Sequence, residues 1–348
     1  MSPQSHTPAE HTRSRVVLYT LGGTIASADV DGTGGVRPSL DGAALLGLAS
    51  DALGDLEIEV VGVRQVASGE LTIEDAVELS HRIAHDLERG FVGAVVTQGT
   101  DTIEEFAFAL DLLNASEAPI VVTGAMRHPG ELSADGPANL AAAIRVASDP
   151  TMRGLGVLVV MNDEVHAARF VRKSDSASLA AFTSWATGPV ARILEGRTRR
   201  YVSPPRLARV LEPVRPGTAV PAVALATCAL GVDARLVGHL VDLGYAGLVI
   251  EGFGGGHVPA RLVEPLMALA ATMPVVLASR TGAGDVLAST YGYVGSERDL
   301  LGRGLISAGF LDGRKARVLL SLLLASGATT DQTATAFARL HRSATGLA

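Results

Sequence analysis

Four loops of this 348-residue chain hold residues that could do chemistry. The first reads Thr20-Leu21-Gly22-Gly23-Thr24-Ile25-Ala26-Ser27. Its glycine pair lets backbone approach a ligand, and Thr24 offers a hydroxyl beside free N–H groups. A tight turn closing on a cap explains the same residues equally well. The second is Thr97-Gln98-Gly99-Thr100-Asp101-Thr102, between an apolar run and a helical pattern. Thr102 to Glu105 fits a capping box, which leaves Thr100 and Asp101 just before it. A hydroxyl beside a carboxylate at a helix N-terminus suits nucleophilic or proton-transfer chemistry, and capping accounts for Asp101 about as well. The third, Asn162 to Lys173, ends on a lysine for which solvation is the plain expectation. The fourth, Arg280-Thr281-Gly282-Ala283-Gly284-Asp285, puts a carboxylate at the end of a Gly-rich turn. None of the four is a dinucleotide G-x-G-x-x-G fingerprint or a phosphate-binding P-loop.

Such loops need elements to hold them. Residues are 47% hydrophobic, 19% charged and 4% aromatic, which excludes a disordered chain. Mean hydropathy is +0.31, yet runs such as Gly156–Val160 fall far short of the ~18–20 residues a bilayer requires. They read instead as strands buried on both faces of a parallel sheet. The net charge of −7 gives no footprint for nucleic acid. Strand-like and helix-like segments alternate from Val16 onward, which predicts an α/β fold: a larger N-terminal doubly wound sheet domain and a smaller C-terminal α/β domain. Helices are expected over 72–90, 102–114, 137–148, 236–244, 262–273 and 314–327, with Ile73, Val77, Ile83, Ala84 and Leu87 on one stripe of the first and Pro137 opening the third. The division is a polar, disordered tail over 1–14, domains over 15–199 and 220–348, and an Arg- and Pro-rich linker over 200–219. The tail lacks a secretory h-region, so the expected location is cytoplasmic. Cys228, the one cysteine, sits in an apolar run and reads as a small buried hydrophobe. Trp185 reads as a core or interface anchor, and His128 as a structural or rim residue. In open α/β sheets ligands bind beyond the carboxyl ends of the strands, where all four loops lie.

Taken together, Leu21–Ala26, Gln98–Leu113, Pro119–Ala147, Gly156–Asp163 and the KARVLL segment at Lys315 resemble the bacterial-type L-asparaginase family. The likeness covers residues from about 16 to 325. The turn at Thr281–Asp285 also looks like the anion-hole motif of ribokinase-like sugar kinases, but that reading accounts for none of the other segments. The family resemblance implies hydrolysis of a side-chain amide through a Thr acyl-enzyme, with no metal or cofactor. It implies a homotetramer of intimate dimers whose sites are completed by the neighbouring subunit, acting on a small-molecule amide, with no nucleic-acid or membrane partner. Carried over by position, Thr24 is the nucleophile, and Thr100 the second threonine with Asp101 and Lys173 as partners. Ser68 and Asp101 match the groups that hold the substrate's α-carboxylate and α-amino groups. Gly23, Gly69, Gly99 and Ala125 join them around the ligand, and His257 and Asp285 stand where the neighbouring subunit's contacts fall.

The chain also departs from the family's pattern. Val36 stands nearest the usual flap tyrosine, Gly69 replaces a glutamine, His257 an asparagine and Asp285 a glutamate. Tyr291 and Tyr293 are the candidates to supply the missing phenol; otherwise Thr100 carries more of the chemistry. These departures keep two alternatives open: the same chemistry on D-Asn, Gln or a small β-amide, or a non-catalytic amino-acid sensor. His257, in a Gly-rich loop, also reads simply as a hydrogen-bonding loop residue.

Overall fold

The computed structural model describes residues 14–29, 32, 34–47 and 55–345; the tail expected over 1–14 lies outside them except for Ser14. The N-terminal part runs β1 (Arg15–Gly22), β2 (Ser27–Ala28), β3 (Arg37–Pro38), α1 (Gly42–Gly47), β4 (Glu57–Val66), α2 (Ile73–Glu88), β5 (Gly93–Thr97), α3 (Ile103–Leu113), β6 (Ile120–Thr123) and α4 (Gly136–Ser148). It continues through β7 (Val157–Met161), β8 (Glu164–Ala167), β9 (Val171–Lys173), β10 (Phe182–Ser184), β11 (Ala191–Leu194) and β12 (Arg197–Arg200). Residues 201–222 carry neither helix nor strand. The C-terminal part runs β13 (Val223–Thr227), α5 (Arg235–Gly238), β14 (Gly247–Gly252), α6 (Ala260–Ala270), β15 (Val275–Ser279), α7 (Glu297–Gly302), β16 (Ile306–Ser307), α8 (Gly313–Ala325) and α9 (Thr330–Thr345).

The large sheet has eight strands in the order β12-β11-β8-β7-β6-β5-β1-β4. The five from β4 to β7 are parallel, and β8, β11 and β12 reverse direction in turn to form one edge. β5 and β7 are buried at every position, as strands covered on both faces must be. The small sheet, β13-β14-β15-β16, is wholly parallel. α8 ties the two together: it packs on α3 of the first domain and on β13 and β14 of the second, burying Leu319, Leu320, Leu322 and Leu323. No described helix is long and apolar enough to cross a membrane.

Local sequence explains most element ends. α2 begins at a capping box between Thr72 and Asp75 and ends before Gly90, whose φ of 96° only glycine adopts cheaply. Its buried apolar face is Ala76, Val77, Leu79 and Ile83, while Ala84, expected on that stripe, is exposed. α4 carries Pro137 in its first turn. The helix expected over 236–244 is a single helical turn, Arg235–Gly238, followed by irregular turns. Only Val237 and Leu240 of that segment are buried while Leu236, Val241 and Leu243 are exposed, too narrow a stripe to hold a longer helix down. Trp185 is not in this chain's core; its side chain is exposed.

Candidate active site

β1 and β5 lie side by side, paired from Val16↔Gly93 to Thr20↔Thr97. The chain leaving β1 goes to β4 on one side, and the chain leaving β5 goes to β6 on the other. Adjacent parallel strands whose connections part in this way open a crevice at their carboxyl ends. Thr24 and Thr100 are carried on 3₁₀ turns that leave the two strands.

Bare backbone brings these turns together. Gly23 has φ 82° and donates its N–H to Val66 O at 3.1 Å. A Cβ on Gly23 would stand 2.1 Å from Gly99 N, so no side chain fits between the Thr24 and Thr100 turns. A Cβ on Gly99 would meet Ser68 Cβ and Oγ at 2.9 Å, and one on Gly124 would meet Gln98 O at 2.6 Å and Thr100 Cγ2 at 3.2 Å. The loops after β1, β4, β5 and β6 therefore close on one another, with Gly23, Thr24, Ser68, Gly99 and Thr100 at the join. Ala125 joins through Gly136, whose own Cβ position faces Ile25 Cγ1 at 3.0 Å and Ala125 Cβ at 3.4 Å. The Asp135 carboxylate fixes the next backbone, accepting from Met126 N and Arg127 N. Gly69 is exposed and faces open space, so packing does not demand a glycine there.

The capping box expected at Thr102 and Glu105 does not form. Thr102 makes no side-chain cap bond; its hydroxyl donates to Ser68 O at 3.1 Å and receives Gln98 Nε2 at 3.3 Å. A polar bridge from the Thr100 turn to the Ser68 turn takes the place of a local cap. Lys173, for which residue type alone suggests solvation and the family resemblance a place beside Thr100, is partnered. Its ammonium donates to Thr100 Oγ1 at 2.9 Å and to Asp101 Oδ1 at 2.6 Å. Thr100 is buried, and the Lys173 side chain is 14% exposed while that of Asp101 is 80% exposed. A cation on a buried hydroxyl favours its deprotonated form, and the open carboxylate beside it suits a ligand ammonium.

His257 and Asp285 stand apart. No hydrogen bond or ion pair joins either to the threonine turns among the described residues. His257 is bridged to Phe253, meets the Tyr291 ring edge-on at 4.8 Å and lies 5.6 Å from the Tyr293 ring. Its Nδ1 is 3.4 Å from Glu297 Oε2. Asp285 is exposed on the irregular chain after β15. The loop before it meets β9 at Arg172, whose guanidinium lies against Gly282. No helix begins until Glu297, so the Gly-rich turn at Thr281 is not the helix N-terminus an anion hole of the kinase type requires.

Comparisons with known proteins match both halves of the chain to the two domains of one family. The model of the N-terminal asparaginase domain matches residues 15–206, and that of the glutaminase/asparaginase C-terminal domain matches 222–337. The chain belongs to the asparaginase family. It is 34% identical over 315 residues to an L-asparaginase of Bacillus licheniformis, covering 90% of this chain and 96% of that protein. It is 39% identical over 324 residues to a probable L-asparaginase of Deinococcus radiodurans, covering 91% and 95%. A crystal structure of a probable cytoplasmic L-asparaginase from Campylobacter jejuni superposes with a TM-score of 0.85 at 30% identity, covering 94% of this chain and all of that one.

Proposed function

We propose that the chain hydrolyses the side-chain amide of L-asparagine to L-aspartate and ammonia. The observation that carries this reading is the Lys173 ammonium shared between Thr100 Oγ1 and Asp101 Oδ1 at the β1/β5 switch point. In the proposed sequence Thr24 Oγ1 attacks the carboxamide carbon, its proton passes to the departing nitrogen, and ammonia leaves an aspartyl ester. Water deprotonated at the Thr100–Lys173 pair then cleaves that ester and restores the Thr24 hydroxyl. The backbone N–H groups of the Gly23 and Gly99 turns offer donors to the tetrahedral oxyanion, each worth ~2.7–4 kcal/mol where measured in other enzymes. Asp101 and Ser68 hold the substrate's α-amino and α-carboxylate groups. His257 and Asp285, with Tyr291 or Tyr293 in place of the missing flap phenol, reach the site from the neighbouring subunit of a homotetramer acting in the cytoplasm.

Ammonia release from L-Asn tests the assignment. Thr100→Val abolishes it and Thr24→Ala reduces it steeply; full activity in either variant removes the role given to that residue. A second reading, another amide as the preferred substrate, is favoured by Gly69, His257 and Asp285 at the selecting positions. Parallel rates on L-Asn, L-Gln, D-Asn and small β-amides separate the two.

A further inference from the structure

β9 is an unusual mount for a residue that must be placed to within a fraction of an ångström. It has three residues and, among the described residues, pairs only with β10, outside the eight- and four-stranded sheets, and a two-stranded ribbon by itself is marginally stable. Val171 is buried in the core, and charged groups hold the strand's main chain. Lys315 Nζ donates to Val171 O, and the main-chain N–H of Lys173 donates to Glu104 Oε2. Arg314 Nη1 lies 2.6 Å from the other Glu104 oxygen. Asp312 caps α8 by accepting from Lys315 N at 3.1 Å and stands 3.7 Å from Lys315 Nζ. Glu104 and Lys315 are 1% and 2% exposed, a placement charged groups tolerate only when paired. Burial raises the Glu104 pKa, and Lys315, Arg314 and the Lys173 N–H oppose that rise.

We propose that Glu104 and the Arg314–Lys315 pair of α8 form a clamp on β9 that positions the Lys173 ammonium on Thr100, so that the second domain of a subunit tunes that subunit's own site. The inference rests on the amide-hydrolysis reading. Its geometry is specific: Glu104 follows Thr100 and Asp101 directly into α3, so one stretch of chain holds Lys173 at both ends. The ammonium is received by Thr100 and Asp101, and the main-chain N–H by Glu104. Arg314 sets where the Glu104 carboxylate sits. The KARVLL segment has in Lys315 a reason for its charge.

Steady-state kinetics on L-Asn with Arg314→Met, Arg314→Lys and Glu104→Gln test the clamp, with thermal melting to register folding. The Arg314 side chain is 34% exposed, so its replacement spares the core. Arg314→Met is expected to lower kcat on the order of 10- to 100-fold with KM nearly unchanged, the scale of a ~1 Å misplacement, and Arg314→Lys to recover most of it. Glu104→Gln keeps an acceptor for the Lys173 N–H and falls between. In a Lys173→Met background, itself strongly impaired, Arg314→Met then has no further effect, because both changes act on one group. Unchanged kcat in Arg314→Met, or losses that multiply in the double variant, overturn the clamp. A fully active Lys173→Met enzyme overturns the site reading beneath it instead.

Discussion

At the scale of single residues, what a side chain does here is decided by partners distant in sequence. Thr100, Asp101 and the Gly23 and Gly99 turns are legible from their types and from their place after apolar runs. The role of Lys173 is legible only through the family resemblance and not from its residue type, since its partners are about seventy positions away and the hairpin of β9 and β10 delivers it. Thr102 shows the converse: a local capping pattern loses its hydroxyl to the Ser68 carbonyl because that carbonyl arrives beside it. Glu104 went unmarked as well, because a glutamate in a helix's first turn has a sufficient local explanation in the helix dipole. Cys228 matches its simple reading. It is fully buried, and burial pushes its thiol up to about 11. Native protein at pH 8 is therefore expected to resist thiol-specific alkylation, with the single thiol appearing only on unfolding; rapid labelling of the folded protein would refute this.

At the scale of elements, β8 and β10 meet through His166, whose Nδ1 lies 3.0 Å from Ser184 Oγ. Burial, helped by the Arg192 charge, lowers the His166 pKa to about 4. An unfolded chain takes up a proton near pH 6.5 that the native state refuses. Stability is therefore whole above that pH and declines as pH falls toward 4, by on the order of 3 kcal/mol. Urea midpoints between pH 7 and 4.5 measure the decline, and His166→Gln is expected to flatten it. Among elements, the buried parallel strands were plain in the sequence because a run of Val and Leu with no polar break needs cover on both faces. The reversal at β8, β11 and β12 was not. Asn162 and Asp163 turn the chain back with φ of 51° and 61°, and nothing in the composition of β8 distinguishes an antiparallel neighbour from a parallel one. The overlong helix at 236–244 failed for a related reason: its apolar residues counted as core, yet most of them lie exposed.

At the scale of the whole molecule, no hydrogen bond or ion pair among the described residues joins the threonine turns to His257, Tyr291 or Asp285 of the same chain. If neighbouring subunits join them, two impaired variants can rescue each other. Mixing Thr24→Ala and Asp285→Ala chains during refolding is expected to restore activity in about a quarter of the sites, since half of random pairs are mixed and each mixed pair has one intact site. Absence of any rescue, with both parents impaired and assembled, rules out shared sites. The Gly23–Gly99 contact has a consequence of another kind. Where backbone lies directly on backbone there is no side chain to exchange, so the floor of the crevice is closed to gradual evolutionary change. Any drift in substrate preference is left to neighbouring positions with room for a side chain, such as Gly69, where a Cβ would face open space.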